Sequence, residues 1–296
     1  GHAYAPSAIP LQLPETGMEF ALPRAMTETE IGEVIASFAR SALLAQRAGF
    51  DGVQIDAGHG HLLSQFLSPL SNQRDDAWGG NLANRARLLL ESVQAVRRQV
   101  RPDFCVSVKL NCSDFMTGGF DSEEAVQVIK MLNPLGVDLL EISGGTYASP
   151  AMFGLPADQS SLPAEAYFLP QAKALLAAAQ MPLQLTGGIR SQACADAALA
   201  HGMATVGLAT ALLQQPDLPL RWQAGEALQI DKANPPPSAV AILMQATERL
   251  GQMAAGKQPP SAISPQLAIL SGQIRLRNLS SRYRQWLARE DTPRSR

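Results

Sequence analysis

Apolar positions in this chain occur in two alternating patterns. From Thr27 onward, Ile31, Val34, Ile35, Phe38, Ala39, Leu43 and Leu44 recur at helical spacing. Thr27 followed three residues later by Glu30 is a capping box, so the spacing predicts a helix of about 20 residues up to Gly49. Short apolar runs follow at 50–56, 104–110, 137–142, 183–185 and 204–208, each the length of a strand. Helical periodicity lies between them at 86–99, 123–134, 164–179 and 191–200. Gly49, Gly136 and Gly202 stand just before strands, where a helix exit favours glycine.

Short strands alternating with helices imply parallel pairing and an α/β fold. The strands read as apolar runs without strict alternation, as expected of strands buried on both faces. Two architectures are open at this level. A closed (β/α)8 TIM-type barrel needs eight strands over about 250 residues, and only five runs are visible here. The other is an open α/β sheet. Residues 1–25 are Pro-rich and polar with no period, and read as an extended arm. After Pro219 the pattern changes. Ala233-Asn-Pro-Pro-Pro237 is a rigid break, followed by a helix at 238–254, a second break at 256–265 and a helix at 266–289. The division expected is a partial barrel with its arm over 1–230 and a helical extension over 231–296. The basic stretch from Arg275 to Arg284 reads as a solvated helix face, with a partner or oligomer contact as the sharper alternative.

Composition narrows the classes. The chain has 296 residues, 46% of them hydrophobic, enough for a large core. A net charge of −2 points to neither nucleic acid nor an anionic membrane as partner. No apolar run reaches the about 18 residues of a membrane span, and no basic-then-apolar leader opens the chain. Its first residues are Gly-His rather than Met, so a fragment or processed form is expected. Three cysteines without paired spacing argue against a disulfide framework and for a reducing compartment, taken as the cytoplasm.

Candidate chemistry begins at residue 56. The first strand runs into a long polar loop that carries Asp56, His59 and His61. A carboxylate beside imidazoles can fix a tautomer, and histidine serves as donor, acid or base near neutrality. The plainer alternative is a loop held by hydrogen bonds among polar side chains. A metal is not expected, because no third histidine or thiolate lies nearby.

The flanks of this cluster carry a resemblance. Leu62-Leu63, Gln65-Phe66-Leu67, Pro69, Asn72, Arg74, Asp76, Gly79-Gly80, Leu82, Asn84, Arg85 and Arg87 match a long motif in order. Ser107-Val-Lys-Leu-Asn111, Asp114-Phe115, Gly118-Gly119-Phe120 and Glu141-Ile-Ser-Gly-Gly-Thr-Tyr147 continue it. So do Leu185-Thr-Gly-Gly188, Val206-Gly-Leu208 and Pro216-Asp-Leu-Pro219. Over about residues 20–220 the chain resembles the Old Yellow Enzyme family of NADH:flavin oxidoreductases, which are FMN-binding TIM barrels. The resemblance implies strands four to eight of such a barrel. It implies FMN as a non-covalent cofactor, NAD(P)H as reductant, and a small-molecule substrate such as an activated alkene, with a homo-oligomer left open. Lys109 matches the basic residue that stabilises reduced flavin. Gly187 and Gly188 match the phosphate loop, where the helix opening near Ser191 adds its positive end.

This chain departs from the family pattern at several positions. Asp56 replaces a histidine that works with His59 on the substrate oxygen. His61 replaces the tyrosine that protonates the substrate. Thr210 replaces the phosphate-binding arginine, and Ala209 replaces its glycine neighbour. The family's first three strands precede the point where this chain starts. The roles implied are substrate orientation for His59, proton donation for His61, tuning of the histidines for Asp56, and phosphate binding for Gly187, Gly188, Ala209 and Thr210. The departures keep a different class in view, a catalytically silent barrel relative serving as a scaffold or interaction protein. A Schiff-base aldolase or lyase barrel is a third reading, with Lys109 as its strand-end lysine.

Overall fold

Capping and packing define the first long element. The computed structural model describes residues 3–11, 20–157, 162–231, 239–257 and 264–290. The arm ends in two short strands, β1 (Tyr4–Ala5) and β2 (Arg24–Ala25), paired in parallel. Arg74 anchors it, with Nη1 donating to the carbonyls of Pro6 (3.0 Å) and Met26 (2.7 Å). The described parts of the arm are therefore more structured than their sequence suggests. Helix α1 (Glu28–Arg47) follows, with both halves of the Thr27–Glu30 capping box formed. Ile31 and Ala42 are its buried positions.

Five strands form one parallel sheet in sequential order: β3 (Gly52–Ala57), β4 (Cys105–Asn111), β5 (Leu139–Ser143), β6 (Leu183–Thr186) and β7 (Thr205–Gly207). Helices α2 (Leu62–Leu67) and α3 (Leu82–Gln99) follow β3, α4 (Ser122–Leu132) follows β4, α5 (Leu169–Ala178) follows β5, and α6 (Gln192–Ala200) follows β6. This is the β/α repeat of a barrel wall, with β3 and β7 as edges among the described residues. Gly49, Gly136 and Gly202 have φ of 89°, 70° and 98°, the left-handed exit expected of them.

Two sequence expectations are corrected. The strands do alternate. Val53, Ile55, Val106, Val108, Leu140, Ile142, Leu183 and Leu185 make one apolar set, while Gln54, Asp56, Ser107, Lys109, Asn111, Glu141, Ser143, Gln184 and Thr186 make a polar one. Successive side chains in a strand point to opposite faces, so the polar set shares one side of the sheet. The loop after β3 is also not wholly irregular, because Leu62–Leu67 turns into α2 and buries Leu63, Phe66 and Leu67. A third difference concerns α5, which starts at Leu169 rather than 164. Ala166 sits at φ 48°, outside the right-handed helical region, and interrupts the turn.

The motif in 62–87 does structural work. Asn72 Nδ2 donates to the carbonyls of Phe66 (2.7 Å) and Trp78 (2.8 Å). Asn84 Nδ2 donates to the Gly79 carbonyl at 3.0 Å. Arg85 is buried, donates to the carbonyls of Leu67 and Gly80, and pairs with Glu124. A Cβ on Gly79 would lie 2.3 Å from the Arg74 carbonyl oxygen, so that close approach requires glycine. These residues hold the end of α2 and the segment that joins it to α3.

The chain divides into two compact units, Gly1–Leu208 with Arg221–Gln229, and Ala209–Leu220 with Ile230–Arg296. The second unit contains α7 (Thr210–Gln214), α9 (Ala239–Ala254) and α10 (Pro265–Glu290), the last two packed on each other. Short helix α8 (Leu218–Gln223) runs across the boundary between the two sets of residues. Arg275, Arg277, Arg282 and Arg284 of α10 are exposed. The Pro-rich break at 233–237 and most of the break at 256–265 lie outside the described residues. Among the described residues no helix is long and apolar enough to cross a membrane.

Candidate active site

Register places the polar side chains together. Asp56 pairs with Lys109, Lys109 with Glu141, and Glu141 with Gln184 across four neighbouring strands. Near the centre of this row lies Glu141, only 5% exposed. One of its oxygens accepts from Thr186 Oγ1 (2.6 Å) and pairs with Lys109 Nζ (3.1 Å), and the other accepts from Gln54 Nε2 at 2.8 Å. A buried carboxylate needs such partners, because an unpaired charge there is costly. Sequence reasoning passed over Glu141. Lys109 stands where expected, at the carboxyl half of its strand, and it is paired with an acid.

Beyond the strand ends the backbone turns sharply. Gly58 N–H donates to Asp56 Oδ1 (3.0 Å), and His59 adopts φ 58°. Asn111 Oδ1 accepts the His59 N–H at 3.0 Å, while Asn111 Nδ2 donates to the Gly145 carbonyl at 2.9 Å. Asn111 thereby joins the histidine turn to the loop after β5. His59 Nε2 lies 2.6 Å from Ser143 Oγ, and its Nδ1 has no partner among the described residues. Burial and the nearby Lys109 cation lower the His59 pKa to about 4, so the ring is neutral at pH 7. A neutral imidazole bonded at Nε2 can donate from Nδ1 to a substrate oxygen.

His61 has the opposite character. Its Nδ1 is 2.5 Å from Asp56 Oδ2, and that hydrogen bond raises its pKa against partial burial. Burial pushes the Asp56 carboxyl up, but His61 and the Gly58 N–H outweigh it and hold the carboxyl below its usual value. The two histidine rings lie 6.2 Å apart, centre to centre. On the far side of His61, Tyr147 presents its ring edge-on at 5.8 Å and its hydroxyl 3.4 Å from Nε2. Asp56, His59, His61 and Lys109 are thus brought together, and the structure adds Glu141, Ser143, Asn111 and Tyr147. Among the described residues no group of three or more His, Cys, Asp or Glu side chains is arranged to hold a metal ion.

The glycine turn after β6 is a separate cluster. Gly187 and Gly188 have φ of 126° and 69°, and a Cβ on them would meet the rings of Phe168 (2.7 Å) and Tyr167 (2.3 Å). Close ring packing therefore demands glycine here. A carboxylate already stands just before the α6 N-terminus. Glu165 Oε2 accepts the N–H groups of Arg190 (2.8 Å) and Ser191 (3.0 Å) and the Ser191 hydroxyl. A side-chain carboxylate takes the place an anion would take. The Gly187 and Gly188 N–H groups remain without an acceptor among the described residues. Arg190 is largely buried with its Nε unpartnered. The Arg190 guanidinium is engaged with Glu165 and with the carbonyls of Gly188 and Ala164, while the Gly187 and Gly188 amides and the Lys109 cation have the chemistry to hold an anionic group such as the phosphate of FMN. Ala209 caps α7 without a side-chain bond, and Thr210 opens it, both in the second unit.

The sequence model described as NADH:flavin oxidoreductase / NADH oxidase family matches residues 2–229. The chain is 40% identical over 231 residues to the NADH-dependent flavin oxidoreductase iliE of Neonectria sp. (strain DH2), covering 73% of this chain and 30% of that protein. It is 40% identical over 206 residues to the NADH-dependent flavin oxidoreductase iccE of Talaromyces variabilis, covering 68% of this chain and 50% of that one. Among solved structures, an Old Yellow Enzyme homologue from Zymomonas mobilis superposes with TM-score 0.62 at 25% identity, covering 77% of this chain and 63% of that one. A 2-naphthoyl-CoA reductase complex superposes with TM-score 0.68 at 27% identity, covering 76% and 33%. The chain therefore spans half or less of the length of those two curated relatives, and its sheet is part of the barrel of such folds.

Proposed function

The chain belongs to the NADH:flavin oxidoreductase / NADH oxidase family, and on that premise we propose that the whole protein is an FMN-dependent oxidoreductase that uses NAD(P)H to reduce a small activated alkene or similar acceptor. The observation that carries the reading is the placement of Lys109, His59 and the Asp56–His61 pair at one end of one parallel sheet. Bound FMN supplies hydride transfer between the nicotinamide and the acceptor. In this reading residues 1–230 form the cofactor-binding part and 231–296 a helical extension.

The chain's own residues divide the remaining work. Lys109, Gly187 and Gly188 hold the cofactor. A fixed cation at Lys109 favours negative charge on a neighbouring ring system. His59 Nδ1 orients the acceptor oxygen. His61, kept protonated more readily by Asp56, is the proton reservoir of the site. The test is reconstitution of the chain with excess FMN, followed by desalting. Flavin absorbance retained with the protein, and bleached by NADH or NADPH, is the expected result. Protein that leaves the column colourless overturns the cofactor assignment.

A further inference from the structure

We propose that Tyr147 is a catalytic residue, the terminal proton donor of an Asp56–His61–Tyr147 relay. This rests on the reductase reading above. His61 Nδ1 faces Asp56 at 2.5 Å and its Nε2 faces the Tyr147 hydroxyl at 3.4 Å, so one imidazole bridges a carboxylate and a phenol. Catalytic hydrogen bonds are often long without substrate and shorten in the working complex. The edge-on ring contact at 5.8 Å holds the phenol in place. So does the tight turn behind it, where Thr146 N–H donates to the Ser149 carbonyl (2.8 Å) and Ser149 N–H to Thr146 Oγ1 (3.1 Å). Gly60, next to His61, lets this turn approach closely, since a Cβ there would lie 3.3 Å from Thr146 Cβ and 3.5 Å from Tyr147 N. Tyr147 is 39% exposed, so the residue is not sealed inside the fold.

The step balances without a further reagent. A substrate carbon that has gained hydride at its neighbour takes the Tyr147 proton. The O–H bond breaks as the C–H bond forms. The phenolate takes the Nε2 proton of the His61 imidazolium, and His61, whose side chain is 43% exposed, is recharged from water. Asp56 keeps Nδ1 protonated throughout and fixes the tautomer. Other charged or titratable groups near His61 are His59 on its own turn and Lys109 from β4, which opposes its protonation.

Two measurements test this on the full chain. In the flavin-free protein, nitrogen NMR of the His61 ring is followed through a pH titration, with and without Tyr147→Phe. The relay requires the Nε2 signal and the titration midpoint to move in the variant, and an unchanged ring overturns it. In the FMN-loaded protein, reoxidation by an activated alkene is compared with reduction by NADH in the same sample. Tyr147→Phe is expected to lower that ratio by about 100-fold, the size of a lost general acid. The double variant with His61→Gln should lose little more than Tyr147→Phe alone, because both act on one proton. If reoxidation survives Tyr147→Phe and is lost only with His61→Gln, His61 is itself the donor and the proposal is wrong. A chain that retains no FMN overturns the reductase reading and the catalytic role of Tyr147 with it, while the NMR titration still decides whether the three residues form a relay.

Discussion

His59 offers a quantitative acid test of the site. Its ring titrates at about 4 in the fold against 6.5 for the free side chain. Because the folded value is depressed, the unfolded chain binds the proton first as pH falls. Stability is full above pH 6.5 and is lost as pH drops toward 4. The loss is RT times the logarithm of the ratio of the two binding polynomials. It amounts to about 2 kcal/mol on going from pH 8 to pH 5, and about 3.4 kcal/mol once both forms are protonated. Other groups titrate in this range, so the wild type is compared with His59→Asn. Asparagine tolerates the left-handed backbone at φ 58° and does not titrate. Urea unfolding of the flavin-free chain at several pH values gives both curves. The difference between them should shrink by about 2 kcal/mol between pH 8 and pH 5, as the wild type weakens faster. Parallel curves would show that His59 is protonated as freely in the fold as outside it, and the neutral-donor role would go with them.

Three other substitutions probe the frame around the site. Gly188→Ala sets a methyl 2.3 Å from the Tyr167 ring at φ 69°, and should cost about 2 kcal/mol in a thermal melt; the same loss in a Tyr167→Ala background would mean the ring is not what excludes the methyl. Lys109→Met leaves buried Glu141 with only Thr186 and Gln54 as partners, and should cost about 3 kcal/mol by urea unfolding. Most of that loss should return when Glu141→Gln is added, and no return would break the pairing argument. Thr27→Ala removes the α1 cap and should cost about 1 kcal/mol, read as a lower denaturant midpoint with the slope unchanged.

The repeat of strand and helix was legible because each unit is punctuated. Asp121 and Ser191 accept from the first amides of α4 and α6, and glycines close several helices. Helix α2 was not legible, since six residues between Gly60 and Pro69 are too few to establish a period. The start of α5 depends on the backbone at Ala166, which no propensity foresees. Asp56, His59 and His61 stood out by residue type, and Lys109 by its place in the matched motif. Glu141 did not, because one acid inside Leu-Leu-Glu-Ile-Ser reads as an interruption of an apolar run. The signal was there in the alternation of Gln54 and Asp56, Ser107 and Lys109, Glu141 and Ser143, Gln184 and Thr186. Taken together those pairs mark one polar face, and the acid buried in it, Glu141, has to be met by polar neighbours. Tyr147 sits in a matched motif, but its proximity to His61 spans 86 residues and depends on the register of β3 through β5.

Departures at 56 and 61 look independent in sequence and are coupled in space. A carboxylate at position 56 alone would oppose negative charge developing on a substrate oxygen. Bonded to a histidine at 61, it forms a pair that is neutral overall when the imidazole is charged. Lys109 and Glu141 form a second neutral pair beside it. Between them stands His59, uncharged. The two histidines are pushed in opposite directions, one toward donating without a charge and one toward carrying a proton, the division that assigns acid and base roles in a shared site. The same pairing limits Lys109. With Glu141 only 3.1 Å away, any anion brought to Lys109 feels a cation already half spent. On the proposed reading, the cation that meets a reduced ring is one already paired with Glu141, whose two oxygens stay bonded to Thr186 and Gln54.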